Sequence, residues 1–228
     1  MEELVHAHDH CVLIVIFALA LPASPSIIAT FGGIVLVSPP GSVQVGFYEN
    51  NRDIRMFVEQ EAFELPSRVR VDITDPGLYD DPTELDPDSH VRRGRLVDSY
   101  LLHADPRNFL EGQDYREYQG RVRFNTRILG VIVLRGHLRS SDDLLGAPGT
   151  LYSGTEPSTG LELSDTEDWV DLINRHTLQV HFKVHGQVDQ VRVLTAAEAV
   201  PEPGTLLLLG AGLIGLGCVR RRSILRRS

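Results

Sequence analysis

The chain has 228 residues, with 31 Asp and Glu against 22 Lys and Arg, and its net charge at pH 7 is −9. This acidic balance opposes binding to a phosphate backbone, so nucleic acid is excluded as an expected partner. The two cysteines, Cys11 and Cys218, lie inside the terminal hydrophobic segments, which excludes disulfides, thiol catalysis and Cys-ligated zinc from the body between them.

The N-terminal segment has the pattern of an export signal. Residues Cys11–Leu21 form an uninterrupted apolar run, which has the length of a signal-peptide hydrophobic region, and Pro22 ends it before small residues. We therefore expect a signal peptide over residues 1–29, cleaved after Ala23 or Ala29. The segment before the apolar run contains no Lys or Arg, which departs from the positive charge usual at this position.

Apolar residues of the body, residues 30–199, recur with a period of two, which is typical of strands with one buried face. The segments with this pattern are Val43–Tyr48, Val69–Ile73, Val97–His103, Val122–Phe124, Ile128–Leu134, Leu178–Val184 and Val188–Leu194. Turn-rich pieces separate them. Short strands without a long amphipathic helix predict an all-β fold. We expect an antiparallel β-sandwich of the jelly-roll or lectin-like sort, flanked by an N-terminal signal helix and a C-terminal transmembrane helix.

Three segments of the body give more specific expectations. Ile128–Leu134 is apolar throughout, which predicts a central strand buried on both faces. Trp169–Ile173 is expected to form an edge strand in a hairpin with Leu178–Val184, although Ser164–Glu167 has the spacing of a capping box that would begin a helix instead. Asp142–Leu145 is expected to form a single helical turn.

No catalytic motif is evident in the body, which lacks Gly-x-Ser-x-Gly, a phosphate-binding glycine loop with lysine, and His-Glu-x-x-His. His181 and His185 would lie ~13 Å apart on one face of a strand, too far to share a metal. His103, close to Asp105, is expected to be a hydrogen-bonded histidine at a strand end, with an acid/base pair as the alternative. We therefore predict a non-enzymatic protein without a cofactor. The alternative is a secreted hydrolase with two carboxylates across a cleft.

One acidic segment offers oxygen ligands of the kind that calcium prefers. Its acidic residues are Asp75, Asp80, Asp81, Glu84, Asp86 and Asp88. Their spacing is not that of an EF-hand loop, and a solvated turn is the preferred explanation. No metal is therefore predicted, and calcium at this segment is retained as the alternative.

Three unlike segments follow one another in residues 200–228. Pro201, Glu202 and Pro203 form a stiff stretch that a protease can reach, because the two prolines fix φ and remove backbone donors. Residues 204–219 form an uncharged apolar run, which can cross lipid as a short transmembrane helix. The basic tail, residues 220–228, would hold the far end of that helix in the cytoplasm. Its charges are Arg220, Arg221, Arg222, Arg226 and Arg227.

The order of tripeptide, apolar helix and terminal arginines resembles the PEP-CTERM sorting signal of bacterial exported proteins. The resemblance implies that an exosortase, an integral membrane transpeptidase-like enzyme, recognises and processes the tripeptide, and that this chain is a substrate of sorting. It also implies transient residence in the inner membrane and delivery to the cell envelope surface or the extracellular space. Because hosts of this family usually make exopolysaccharide, we expect a structural or carbohydrate-associated module of the biofilm matrix. A permanently membrane-anchored surface protein is the alternative.

Overall fold

The computed structural model describes residues 27–86, 88–107, 114–152, 160–163, 167–185 and 187–197. These residues belong to one compact unit. Most of the predicted signal peptide and all of the predicted sorting segment lie outside the described residues, and the bounds predicted for the domains stay a prediction. No helix in the described ranges is long and apolar enough to cross a bilayer.

The described residues are mostly β-strands, with one α-helix. In chain order the strands are β1 Ile27–Gly32, β2 Ile34–Leu36, β3 Ile54–Glu64, β4 Val69–Arg70, β5 Gly77–Tyr79, β6 His90–Val91, β7 Leu96–Ala104, β8 Arg116–Phe124, β9 Ile128–Ile132, β10 Trp169–Asn174, β11 Thr177–Val184 and β12 Asp189–Ala196. A 3-10 turn covers Pro82–Glu84, and helix α1 covers Arg135–Leu145.

Ten of these strands form two five-stranded sheets. Sheet A has the order β1-β8-β11-β10-β5, and all of its pairs are antiparallel. Sheet B has the order β2-β3-β7-β12-β9, and it is mixed because β2 runs parallel to β3 while its other pairs are antiparallel. Strands β4 and β6 form a separate two-stranded ribbon. The described residues are therefore mostly β-strands, as predicted. The parallel pair of β2 and β3 departs from the expected antiparallel arrangement.

Side chains from both sheets pack into one shared core. In sheet A, β11 alternates strictly, so that Leu178, Val180, Phe182 and Val184 are buried while their neighbours reach solvent. These side chains belong to the same cluster as Met56, Tyr100 and Val193 of sheet B. Full burial of one such apolar side chain contributes about 1.5–3 kcal/mol, so this layer dominates the stability of the fold.

Sheet B is covered on its second face as well. Strands β7 and β12 are buried along nearly their whole length, which is the pattern of strands packed on both sides. Phe57, Leu101 and Leu194 of sheet B form a second cluster with Leu138 and Leu145 of α1. Helix α1 is therefore the third layer.

The segment Ile128–Leu134 combines a correct prediction with a wrong one. Its side chains enter both clusters, with Val131 in the core between the sheets and Ile132 in the layer under α1, so burial on both faces is confirmed. Strand β9 is nevertheless the edge of sheet B, not its centre. Backbone hydrogen bonds between Val131 and Ile73, at 2.9 and 3.1 Å, cover this edge. The hydrophobic pattern of β9 cannot reveal that pairing, because it involves only backbone groups.

The hairpin prediction is confirmed, because β10 and β11 pair in antiparallel register with Leu172 opposite Leu178. Trp169 lies in a strand, so the rival helix does not continue through it. The expectation that this segment is an edge strand is wrong. Strand β5 pairs with the other side of β10, with Tyr79 opposite Val170. The sequence does not predict β5, because this strand has only three residues and begins with glycine.

Helix α1 corrects the expectation of a single helical turn at Asp142–Leu145. It has 11 residues and begins at Arg135. Its buried residues are Leu138, Ser141 and Leu145, which is a helical spacing. Gly136 and two serines lower the helix propensity of this stretch, which is why its sequence resembles a loop.

Two further differences concern the first part of the body. Val43–Tyr48 is not a strand: Gly46 adopts φ 77° within a turn, although Val43 is fully buried. Strand β3, the longest, was not predicted. Its alternation is broken because Glu59 occupies a buried position, and the register shifts twice between Val58 and Phe63.

Candidate functional site

The predicted sorting residues, Pro201 to Pro203 and the basic tail that follows the apolar run, lie outside the described residues. Their assignment therefore rests on sequence.

The acidic segment from Asp75 to Asp88 is held by local hydrogen bonds. Asp81 accepts from the backbone N–H of Thr83 at 2.7 Å and begins the 3-10 turn, and this bond lowers the pKa of the Asp81 carboxyl. Asp75 pairs with Arg175 at 2.9 Å. Among the described residues, no three carboxylates of this segment converge on one point. This geometry gives no support to calcium at that segment.

A different carboxylate group does converge. Glu162, Asp168 and Asp189 each bring one ligand oxygen to within 4.8 Å of the others. Asp168 immediately precedes β10 of sheet A, and Asp189 is the first residue of β12 in sheet B. The group, called here the acidic cluster, therefore joins the two sheets. Asp168 and Asp189 are 1% and 2% exposed, while Glu162 lies at the surface.

Hydrogen bonds fix the centre of the acidic cluster. The two carboxylate oxygens of Asp168 accept from the backbone N–H groups of Lys183, at 2.7 Å, and Glu162, at 2.9 Å. Oxygen Oδ2 of Asp189 is buried and has no hydrogen-bond partner among the residues that the structure describes. Such an orphaned buried acceptor carries a desolvation cost, and it requires an explanation.

Burial and mutual repulsion disfavour the simultaneous ionisation of all three carboxyl groups in the acidic cluster. Burial raises the pKa of Asp189 well above its usual value, and the neighbouring charges of Asp168 and Glu162 raise it further. Burial also raises the pKa of Asp168, against the effect of its two backbone donors. Glu162 is exposed, but partial desolvation by its neighbours and the charge of Asp168 raise the pKa of its carboxyl.

Basic side chains of β11 and of the residue after it are directed at another acid. Glu167 accepts from Lys183 Nζ at 2.7 Å and pairs with His185 at 2.9 Å. His181 is stacked on Trp169 and contacts the backbone oxygen of Glu167. Ion pairs formed among the described residues do not include a carboxylate of the acidic cluster.

A second polar group is completely satisfied and has a structural role. Arg192 of β12 is 0% exposed and binds Glu59 of β3 through two hydrogen bonds, at 2.7 and 2.8 Å. Its guanidinium also donates to Ser141 and to Asp142, the latter at 2.9 Å. Arg192 thereby ties α1 to two strands of sheet B.

Helix α1 forms one wall of a surface groove of about 940 Å³. The lining includes Arg139, Ser140, Asp142, Asp143 and Tyr152. The carboxylate of Asp142 is engaged by Arg192, and burial nevertheless raises its pKa. The groove thus presents charged and hydroxyl groups around one half-buried aromatic ring.

His103 is hydrogen-bonded, as expected. Its Nδ1 lies 3.0 Å from the amide nitrogen of Gln190, and burial lowers the pKa of the imidazole to about 3. Asp105 instead accepts from the backbone N–H of Gly46 at 2.9 Å. Burial raises the pKa of Asp105 to about 6. The two side chains therefore have different partners, which does not favour an acid/base pair.

The acidic cluster was missed by sequence reasoning, because its members come from three separate segments and share no motif. The only local sign is an aspartate at the start of a predicted strand: Asp168 directly precedes Trp169–Ile173, and Asp189 is the second residue of Val188–Leu194. Such residues are common at strand ends, so this sign is not specific.

Comparison with known proteins gives one finding at the C-terminus. A family model described as the PEP-CTERM protein-sorting motif matches residues 199–222. The match includes the predicted tripeptide, the apolar run and the first three arginines of the basic tail. No curated protein and no solved structure matches the chain.

Proposed function

Because the chain carries a PEP-CTERM protein-sorting motif over residues 199–222, we propose that an exosortase cleaves it near Pro201–Pro203 and releases the body to the cell envelope surface or the extracellular space. The motif implies sorting by exosortase and export toward the envelope. Residues 204–219 would hold the chain in the inner membrane until cleavage, and the arginines after them would keep the far end in the cytoplasm.

The end of the body supports this order of events. The last strand, β12, ends at Ala196, which pairs with Val97 of β7. The backbone N–H of Ala197 still bonds to Leu96 at 3.2 Å. Cleavage at the tripeptide would therefore remove no hydrogen bond of the described sheets, and the released body would keep its fold.

The processing step is tested by mutation in a host that contains an exosortase. The wild-type protein should lose its C-terminal segment, seen as a lower mass of the exported form. Glu202→Gln should retain the full mass and stay in the membrane fraction. Glu198→Gln, a matched change outside the tripeptide, should be processed like the wild type. If Glu202→Gln is processed normally, the tripeptide is not the recognition element.

For the body we propose a non-enzymatic role in the matrix, either structural or carbohydrate-associated, on a jelly-roll or lectin-like sandwich. The groove beside α1 supports it, because its charged and hydroxyl groups suit a polar polymer and its Tyr152 supplies an aromatic surface. A glycoside hydrolase needs two carboxylates placed for attack and proton donation. Asp142 is instead bound to Arg192, which favours a structural use of that acid.

The carbohydrate-associated role is tested by co-sedimentation with purified exopolysaccharide of the host. Arg139→Ala, at the exposed wall of the groove, should weaken co-sedimentation. Arg121→Ala, on the outer face of sheet A, is the matched control and should leave it unchanged. If both variants behave like the wild type while the protein still co-sediments, the groove is not the binding surface.

A further inference from the structure

The acidic cluster has the dimensions of a cation site. Calcium binds carboxylate oxygens at about 2.3–2.6 Å, so two ligands of the same ion are at most about 5 Å apart. The ligand oxygens of Glu162, Asp168 and Asp189 lie within 4.8 Å of one another. One ion can therefore contact all three side chains with little rearrangement.

The charge at the acidic cluster points to a ligand as well. Two of its carboxylates are almost completely buried, and buried charges are normally paired or bound to a metal. Within the described ranges, Asp189 Oδ2 is buried without a donor, and the basic groups Lys183 and His185 pair with Glu167. A bound cation would give that oxygen the partner it lacks.

The donor set identifies the class of ion. All three ligands are carboxylates, which are hard oxygen donors that suit calcium, magnesium or manganese. Magnesium requires near-ideal octahedral geometry and ligands at about 2.0–2.1 Å, whereas calcium accepts irregular sets. A group with one exposed and two buried members at spacings up to 4.8 Å fits calcium better.

We propose that Glu162, Asp168 and Asp189 bind one calcium ion, which fastens sheet A to sheet B at this end of the body. Outside the cell, calcium-binding modules work with dissociation constants of about 10⁻⁴–10⁻³ M. The proposal rests on the proposed function only in one respect, which is that export would bring the body into contact with extracellular calcium. Binding itself belongs to the folded body and is independent of sorting.

Binding is measured on the purified full chain with CaCl₂. The wild type should bind calcium with a dissociation constant of roughly 10⁻⁴–10⁻³ M. At about 10 mM calcium the melting temperature should rise by about 3–10 °C, because the ion binds only the folded state. Trp169, the single tryptophan of the chain, directly follows Asp168. Terbium bound in place of calcium should therefore show luminescence on excitation of that tryptophan.

Three variants locate the site. Asp189→Asn should raise the dissociation constant by roughly tenfold or more, because calcium affinity follows the charge of its ligands, and should abolish the calcium-dependent rise in melting temperature. Glu162→Gln changes an exposed residue, so it should leave the fold intact. It should also raise the dissociation constant for calcium. Asp88→Asn, in the acidic segment, should bind calcium like the wild type.

Each contrary result overturns the proposal. Absence of calcium binding by the wild type, or unchanged binding by Asp189→Asn and Glu162→Gln, removes the cluster as a site. Loss of binding in Asp88→Asn would place the ion at the acidic segment instead. Because these measurements need no exosortase, their failure is separate from the failure of sorting, which the Glu202→Gln experiment detects.

Discussion

Replacing Glu59 by Gln removes the negative partner of a guanidinium that has no access to water. Both side chains of the Glu59–Arg192 pair are 0% exposed, and two hydrogen bonds at 2.7 and 2.8 Å join them. The amide nitrogen of Gln would face donors of Arg192, so one hydrogen bond is lost. Asp142 then remains as the anionic partner of the buried guanidinium. Breaking a buried pair from one side costs about 3–5 kcal/mol. At 2–4 °C per kcal/mol, the melting temperature should fall by about 6–20 °C.

Denaturant unfolding, followed by circular dichroism, gives the free energy of unfolding for the variant and its controls. Glu49→Gln breaks the exposed pair with Arg107, whose side chains are 28% and 67% exposed, and it should cost no more than about 1 kcal/mol. A double variant, Glu59→Leu with Arg192→Met, removes both buried charges and should cost less than the sum of its singles. A loss below about 1 kcal/mol for Glu59→Gln would refute the reasoning.

Three further predictions follow from local geometry. Gly130→Ala should destabilise by about 1–3 kcal/mol, because its new Cβ would lie 2.6 Å from a valine side chain, whereas Gly136→Ala meets nothing within 4 Å and should be neutral or stabilising in thermal unfolding. Because the pKa of Asp105 is raised to about 6, the folded state holds its proton longer than the unfolded chain. The free energy of unfolding should therefore fall as pH rises from about 4 to 6. If the difference in that free energy between the wild type and Asp105→Asn does not change over this window, the prediction is contradicted. N-terminal sequencing of the exported protein should begin at Ser24, since cleavage after Ala23 leaves β1 whole; a start at Thr30 would show that half of β1 is dispensable.

Strands were predictable where burial follows a local period. Strand β11 alternates along its whole length. Strands β7 and β12 were identified from apolar residues with a period of two, and both are almost entirely buried. The hairpin of β10 and β11 was predictable as well, because its turn residues lie between two short apolar segments. The sequence signal thus located all of these strands, but it predicted one buried face where β7 and β12 have two.

Prediction failed where long-range contacts decide the structure. Strand β3 was missed because Glu59 breaks its pattern, and its burial makes sense only with Arg192, which is 133 residues away. Strand β9 lies at the edge of sheet B, and a segment 58 residues earlier in the chain covers that edge through Ile73, which bonds to Val131. The acidic cluster is assembled from Glu162, Asp168 and Asp189 by the packing of two sheets, so no spacing in the sequence reveals it.

The most direct test of the account is the C-terminal sequence of the exported protein, read by mass spectrometry from a host that contains an exosortase. The account predicts a terminus at or near Pro201–Pro203, with no peptide from the apolar run or the basic tail. Recovery of exported protein that still ends at Ser228 would contradict cleavage and would favour a permanently anchored surface protein.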